Sequence, residues 1–296
     1  SLSRETLGLL LGTIGVIIFG VTLPMTRIAV QSLDPWFVTS GRAALAGFVA
    51  ILVLSALRRP WPRRDELLPL AIGAFFTIIG FPGCTGFAMQ LVPASHGGVV
   101  LGILPLVVAL FGALSSGDRP SLGFWLSAFV GAALVIGFSL RDEAGQLGLG
   151  DLLLLGAVLS AAAGYTAFNR VAVKRAGWEV VSWAVVLGLP ITVPISLITA
   201  PATPFSVPLP HWGAFLYLGL MSQYIGFFFW NSGLAIGGQA RVSQTQLLQA
   251  FVTLATAALF NGEIVDLWTW IFAVAVVGTV LIGRRTRIIR GEPHPS

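Results

Sequence analysis

Ten long apolar runs follow one another along this chain, and they constrain its fold more than any other feature of the sequence. A membrane-spanning helix needs about 20 predominantly apolar residues, whereas a β-barrel strand is about half as long and alternates in polarity. The runs are of helical length and show no such alternation, so they exclude a β-barrel. They predict an all-α integral membrane protein with ten transmembrane helices over 6–29, 36–57, 67–89, 94–114, 121–140, 151–173, 178–199, 211–234, 240–260 and 264–283.

Charged residues are too scarce for a water-soluble protein. Only 10% of the 296 residues are charged, and the mean hydropathy is +0.89. The surface of a soluble domain is roughly 25–35% charged. Disordered chains are poor in apolar residues, whereas 56% of this chain is hydrophobic. The composition therefore excludes both a soluble enzyme and a disordered chain.

The basic residues are distributed unevenly between the two ends of the predicted helices. Of the 17 Lys and Arg residues, fourteen fall at the N-terminus, at every second loop or in the C-terminal tail. Only Arg27 and Arg141 fall at the alternate loops, and Arg42 lies within the second run. Basic residues favour the cytoplasmic side, so we expect both termini in the cytoplasm and the helices in a bacterial-type inner (plasma) membrane. Because the charges form no basic stripe, no nucleic-acid partner is expected.

The chain contains two copies of one five-helix unit. The segment GVTLPMTRIAV, which begins at Gly20, is similar to GYTAFNRVAV, which begins at Gly164. Further along, Gly117 matches Gly262 at a displacement of 145 residues. Because five is odd, the second copy enters the membrane from the opposite face, as in transporters whose substrate site lies between two inverted repeats. The predicted units are 1–144 and 145–290, followed by a cytoplasmic tail at 291–296.

Each copy ends its fourth helix in a turn of Gly and an acid that leads into a Trp-containing helix, SSGDRPSLGFW in the first copy and FNGEIVDLWTW in the second. Two such halves over nearly the whole chain resemble the drug/metabolite transporter superfamily, in particular its ten-helix EamA-type exporters of amino acids and other metabolites. In its many aromatic residues, the chain resembles the subgroup of these transporters that exports aromatic amino acids and paraquat. The resemblance implies a secondary exporter that works by alternating access.

One position departs from the pattern of this family. Halves of this type often carry a proline in both the fourth and the ninth helix. Here Pro105 lies in the fourth helix, and its counterpart in the ninth is Ala250, beside Gln249. A symmetric pair of proline kinks is therefore not expected.

Polar and aromatic stripes on the eighth and ninth helices are the main candidates for a substrate cavity. They comprise Gln223, Tyr224, Phe227, Trp230 and Asn231 on the eighth helix, and Gln246 and Gln249 on the ninth. Such stripes either form hydrogen bonds between helices or line a wet cavity. The related positions of the first half are more apolar, and they include Phe81, Cys84 and Phe87 in the third helix and Val99 in the fourth. The remaining cavity candidates are Phe19, Thr22, His96, Tyr165 and Phe168. An amphipathic cavity of this kind suits amino acids with large apolar or aromatic side chains.

The acidic residues bear on how transport is driven. All twelve Asp and Glu residues lie at loops, tails or helix ends, whereas a proton-coupled carrier usually keeps a carboxylate inside the membrane. The sequence therefore favours a facilitator over a proton-coupled antiporter, with His96 as the one group in the helices that could respond to protons. Arg27 and Arg42 are expected to reach a membrane face or to pair locally.

Proline and glycine mark the candidate hinges, which are Pro24, Gly80, Pro82, Gly83 and Pro105. An intramembrane enzyme and a non-transporting receptor or scaffold are the alternatives from other classes. The chain has no H-E-x-x-H and no G-x-S-x-G motif, and the inverted duplication disfavours a scaffold. We expect no cofactor and no metal ion; the expected partners are a small-molecule substrate and the lipid bilayer. The oligomeric state stays open, and a monomer is compatible with the sequence.

Overall fold

The computed structural model describes residues 2–142, 145–286 and 288–289. Ten helical segments run back and forth through the molecule. They are α1 (Arg4–Ala29), α2 (Pro35–Ala56), α3 (Arg64–Leu91), α4 (Ala94–Ser115), α5 (Leu122–Asp142), α6 (Leu149–Ala172), α7 (Gly177–Thr199), α8 (Leu209–Gly237), α9 (239–261) and α10 (Leu267–Arg285). A short 3-10 helix covers Pro204–Ser206, and β1 (Arg119–Pro120) pairs with β2 (Ile288–Ile289) in antiparallel register.

All of these segments except α9 are long and apolar enough to cross a membrane, which makes nine such helices in the described part of the chain. The predicted all-α membrane fold is confirmed. The ninth run needs a correction, because the sequence predicted one helix over 240–260. It consists instead of three pieces, Gln239–Val242, a 3-10 segment over Ser243–Leu248, and Gln249–Asn261.

Proline explains the break in α1, which divides Arg4–Gly20 from Thr22–Ala29. Pro24 has no N–H to donate to the carbonyl of Gly20, four residues earlier. That carbonyl accepts instead from Oγ1 of Thr253 on α9, at 2.7 Å. A neighbouring helix thus satisfies the backbone group that the proline frees.

The breaks in α3 and α4 also lie beside prolines. In α3, Pro82 follows a π-helical stretch at Phe75–Gly80. In α4, Pro105 follows the interruption between Ala94–Leu101 and Leu104–Ser115. The candidate hinge residues of the three helices therefore lie at or beside departures from regular α-helix.

The two halves repeat these irregularities at matching positions. The π-helical stretch of α3 is matched in α8 by Leu218–Ile225. The second part of α4 begins at Leu104, and the last part of α9 begins 145 residues later, at Gln249. The break in α9 thus exists although Ala250 replaces the proline, so the two breaks match in position while only the one in α4 has a proline beside it. Gly117 and Gly262, which end α4 and α9, both have positive φ, of 75° and 63°.

The two halves interleave. The most extensive helix pairs join α1 with α8, α3 with α6, α2 with α7 and α1 with α9, and each of them crosses between the two halves. Glycine makes the first pairing close, because a Cβ on Gly233 would lie 2.6 Å from the backbone nitrogen of Gly12. Gly8 lies equally close to Gly237. The Gly8-xxx-Gly12 spacing therefore serves packing within the chain.

Ion pairs identify the two faces of the molecule. On the face where α1 begins, Glu5 pairs with Arg241 and Asp65 with Lys174. We call this the N-terminal face. On the opposite face, where α1 ends, the bridges are Arg27 to Glu263 and Arg141 to Asp266. The start of α6 lies on the opposite face, so the second copy of the unit runs in the inverted direction.

Candidate functional site

A cavity of about 430 Å³ lies between the two halves. It reaches the helix ends at the N-terminal face, where Ala172, Gly177 and Arg284 line it. Toward the opposite face its lining goes no further than Leu23, Arg42 and Gly98, which lie four to seven residues inside the ends of α1, α2 and α4. The cavity is therefore open to the N-terminal face and closed to the other.

Most of the residues that the sequence singled out line this cavity. The structure brings together Phe19, Thr22, Phe81, Tyr165, Phe168, Gln223, Phe227, Trp230, Asn231, Gln246 and Gln249, together with the hinge candidate Pro105. Four amide side chains from α8 and α9 form one wall, and residues such as Leu101, Leu104 and Val108 of α4 form an apolar one. The rings of Phe19 and Phe227 are in contact, with centroids 4.8 Å apart. The lining is amphipathic.

Five of the predicted cavity residues lie elsewhere. Cys84 faces α6 near Gly156, and the ring of Phe87 packs edge-on against Trp36. Val99 is fully buried between α4 and its neighbours. Tyr224 is buried between α7 and α8, where its hydroxyl lies 2.6 Å from Oγ of Ser182. These four side chains pack between helices because the face of the helix that carries them points away from the centre.

His96 is the fifth such residue, and it lies at the opposite face. Its side chain is 1% exposed, with Nδ1 3.0 Å from Oδ2 of Asp142 and Nε2 2.7 Å from Oδ1 of Asp151. The ring thus ties the start of α4 to the end of α5 and the start of α6. Because the carboxylates sit on opposite ring nitrogens, the three groups do not converge on one point, and the described residues contain no cluster suited to a metal ion.

The hinge candidates other than Pro105 also lie outside the cavity lining. Pro24 lies behind Thr22 and Leu23, and Gly80, Pro82 and Gly83 border the π-helical stretch of α3. A Cβ on Gly80 would lie 2.7 Å from Oγ of Ser160, so this glycine allows α3 and α6 to approach. Their positions beside the breaks bear on helix shape and not on direct contact with a substrate.

Arg42 is the main cavity residue that was not among the predicted ones, and its expected reach to the membrane face is wrong. It is 4% exposed and lines the closed end of the cavity. Its Nη2 donates to Oγ of Ser222 at 3.2 Å, and Ser222 lies 2.6 Å from Oγ1 of Thr22. The available signal was a cation within an apolar run.

Arg284 is a second cation in the lining, at the mouth of the cavity. Its guanidinium donates to the carbonyl of Ser243 at 3.2 Å and to its Oγ at 2.9 Å. No Asp or Glu lines the cavity in the described part of the chain. The described lining of the site therefore carries two positive charges and no negative one.

An ion pair at a helix start closes the opposite face. Glu263 accepts hydrogen bonds from the backbone N–H groups of Ala94 at 2.7 Å and Ser95 at 3.0 Å, at the first turn of α4. Arg27 Nε lies 3.6 Å from Glu263 Oε1, and the same guanidinium donates to the carbonyl of Met89 at 3.1 Å. The expected local pairing of Arg27 is thus present. The positive end of the helix dipole adds to the attraction for Glu263.

Loops at both faces carry permanent charges. Hydrogen bonding to Glu66, with Nε and Oε1 2.9 Å apart, raises the pKa of Arg175 in the α6–α7 loop. At the opposite face, the hydrogen bond from Arg141 at 2.7 Å is the largest cause that lowers the pKa of Asp266 to about 2. Both groups are ionised near neutral pH, so these contacts do not titrate under working conditions.

The fold and the site together define a class of protein, a membrane protein of inverted repeats with a solute-sized cavity that is open to one face only. The sequence matches the EamA-like transporter family twice, over residues 6–140 and 148–284, and the chain belongs to this family. The family is part of the drug/metabolite transporter superfamily, so the predicted relationship is confirmed.

Individual relatives agree with this assignment. The chain is 39% identical over 285 residues to the uncharacterized transporter YdeK of Bacillus subtilis (strain 168), covering 96% of this chain and 99% of the relative. It is 23% identical over 274 residues to the uncharacterized transporter YyaM of the same organism, covering 89% and 87%. A solved crystal structure superposes with a TM-score of 0.66 at 19% identity, over 96% of this chain and 99% of that chain.

Proposed function

We propose that this transporter exports amino acids with large apolar or aromatic side chains. The observation that carries the proposal is the amphipathic cavity between the halves. Amide groups on α8 and α9 supply donors and acceptors for the polar end of such a substrate, and the aromatic and aliphatic wall accommodates its side chain. A cavity of about 430 Å³ is within the size range of small-molecule sites.

The proposed route is alternating access from the cytoplasm. Fourteen of the 17 basic residues lie on the N-terminal side or its loops, and this charge bias favours the cytoplasm of a bacterial-type inner membrane for that face. The cavity, open to the N-terminal face, then takes up substrate from inside. Release on the other side requires the contacts of Glu263 with Arg27 and the start of α4 to separate.

We further propose that the protein is a facilitator. Because the described lining of the cavity contains no carboxylate, nothing there exchanges a proton for a substrate. The second candidate is a proton-coupled antiporter, and the contacts of the buried His96 with Asp142 and Asp151 favour it. These three groups lie outside the cavity, so their coupling to substrate would have to pass through movement of α4.

Counterflow in proteoliposomes tests the proposal. Vesicles loaded with unlabelled phenylalanine, tryptophan, leucine, alanine or aspartate are diluted into a trace of labelled phenylalanine. We expect uptake of label with phenylalanine, tryptophan and leucine inside, and little with alanine or aspartate. The same uptake is expected after the pH gradient is collapsed. An absence of counterflow with every amino acid would refute the substrate class, and uphill accumulation driven by an imposed pH gradient would establish the antiporter instead.

A further inference from the structure

The charge of Arg42 has no acidic counterpart in the described part of the chain. Only 4% of the residue is exposed, yet it forms no ion pair with any described Asp or Glu residue. Among the described residues, its buried Nε has no hydrogen-bond partner, and its guanidinium donates only to the neutral hydroxyl of Ser222. A guanidinium has five N–H donors in a planar fork that fits a carboxylate.

An unpaired buried cation is unfavourable, and the surroundings do not relieve it. Removing a charge from water without a partner weakens folding, and charges inside membrane helices accordingly face cavities and mark substrate paths. Arg42 lies at the closed end of the cavity, and the other charge in the lining is the cation Arg284. The missing negative charge therefore has to come from a molecule that occupies the cavity.

A buried acceptor without a partner lies close by in the chain. Gln223 follows Ser222, the residue that Arg42 contacts, and its side chain is 5% exposed and lines the same cavity. Its Oε1 is buried and accepts no hydrogen bond. A native protein leaves few buried polar groups unsatisfied. One open donor and one open acceptor at one end of a cavity are complementary to a carboxylate and an ammonium group.

We infer that Arg42 binds the carboxylate of the substrate and that Gln223 accepts a hydrogen bond from its ammonium group. This assignment rests on the proposed function and narrows it to substrates with a free carboxylate. The zwitterion would enter from the N-terminal face with its charged end leading, and its side chain would lie against the aromatic residues Phe19 and Phe227. Amides, esters and decarboxylated amines of the same amino acids would lack the group that Arg42 binds.

Thermal stabilisation of the purified protein in detergent tests the assignment without requiring transport. The probes are phenylalanine, phenylalaninamide, phenethylamine and 3-phenylpropionate, added to the wild type, Arg42→Gln, Arg42→Lys and Gln223→Leu. Arg64→Gln is the matched control, because it removes the same charge from an exposed position at the start of α3. We expect phenylalanine and 3-phenylpropionate to raise the melting temperature of the wild type and the control, and the amide and the amine to have no effect.

The variants separate the two contacts. Arg42→Gln should lose at least tenfold in affinity for both carboxylates, and Arg42→Lys should retain part of it. Gln223→Leu should weaken the binding of phenylalanine but not that of 3-phenylpropionate, which has no ammonium group. Without ligand, Arg42→Gln should melt at or above the wild-type temperature, because it removes an uncompensated buried charge.

The outcomes distinguish the assignment from the proposed function. If Arg42→Gln keeps the preference of the wild type for carboxylates over the amide, or if the wild type binds none of the carboxylates, the assignment is refuted. A much lower melting temperature of ligand-free Arg42→Gln would also refute it, in favour of a structural role. If carboxylates stabilise the wild type through Arg42 but no amino acid shows counterflow, the anion site stands and the amino acid substrate class is refuted.

Discussion

At the scale of single residues, the amide wall of the cavity carries the first prediction. Asn231 and Gln246 face the cavity from α8 and α9, so water can satisfy the groups left behind when either amide is removed. We expect Asn231→Ala and Gln246→Ala to lower the counterflow rate by about tenfold, the equivalent of about 1.4 kcal/mol, with little change in melting temperature. A fall of many degrees in melting temperature together with transport would show that the amides act in helix packing instead.

Gly177 provides a matched test of the same wall. A Cβ at this position would lie 2.6 to 2.8 Å from the amide atoms of Asn231. Because these are the end of a flexible side chain, Gly177→Ala should displace the amide without unfolding α7. We expect its transport defect to resemble that of Asn231→Ala.

Most of the cavity candidates named from the sequence line the cavity, but the sequence did not identify the partners of these side chains. Arg42 lies seven residues beyond the start of α2, roughly 10 Å along the helix at 1.5 Å per residue, a distance that a long side chain can span by reaching outward. The contact with Ser222 of α8, 180 residues away, decides otherwise. His96 likewise meets Asp142 and Asp151 only through the arrangement of α4, α5 and α6. The spacing of polar and apolar residues along one helix does not show which other helix packs against it.

At the scale of helices, the contact between α1 and α8 gives the second prediction. The backbones approach so closely that a Cβ on Gly233 would lie 2.6 Å from the nitrogen of Gly12. Gly233→Ala should therefore force the helices apart and lower the free energy of unfolding by about 1–3 kcal/mol. Gly278→Ala on α10 is the control, since a Cβ there meets nothing within 4 Å, and it should be neutral or stabilising. Equal melting temperatures for the two variants would contradict this packing.

Proline allowed the breaks in α1, α3 and α4 to be predicted, but not those in α8 and α9. The π-helical stretch of α8 and the 3-10 segment of α9 contain no proline. They occur at the positions that match the breaks of α3 and α4, so the two halves have the same helix shapes even where no proline is present. Neither stretch has a local sequence pattern that predicts its departure from the α-helix.

The inverted repeat carries the third prediction, about Asp118 and Arg170. By sequence they match Glu263 and Arg27, the pair that closes the opposite face. They lie at the open N-terminal face, where neither side chain has an ion-pair or hydrogen-bond partner among the described residues. We expect them to pair at the start of α9 when that face closes.

Because the proposed pair is absent here, its loss should leave the open state unchanged. Asp118→Asn and Arg170→Gln should melt like the wild type, yet each should slow counterflow several-fold. The double variant Asp118→Arg with Arg170→Asp, in which the two charges are exchanged, should restore part of the counterflow rate. Wild-type counterflow in both single variants would contradict a closing role for the pair.

At the scale of the whole molecule, the number, length and repetition of the helices followed from the sequence, because membrane thickness sets the length of each apolar run. The units at 1–144 and 145–290 were predicted as successive halves. In the structure α1 packs mainly on α8, and α3 on α6, so the halves interleave. The small glycines at these contacts were visible in the sequence, but the pairing of one glycine stripe with another depends on the three-dimensional arrangement.

The orientation in the membrane gives the fourth prediction. In a Cys84→Ala background, single cysteines replace Arg63, Lys174, Gln146 and Ala202, all of which are exposed. Membrane-impermeant maleimide should label positions 63 and 174 only from the cytoplasm, and positions 146 and 202 only from outside. Labelling of all four from one side would refute the inverted topology, and the reverse pattern would place the basic face outside.

Reciprocal movement of the two faces is the most direct test of alternating access. Spin labels are attached in the Cys84→Ala background at Leu91 and Ile264 on the opposite face, and in a second protein at Ser116 and Ala235 on the N-terminal face, all exposed positions. Pulsed electron paramagnetic resonance then measures the distance between the two labels of each protein, in nanodiscs with and without phenylalanine. We predict that substrate adds a longer distance at the opposite face and a shorter one at the N-terminal face. Two distances that change in the same direction, or that stay fixed while counterflow proceeds, would contradict this mechanism.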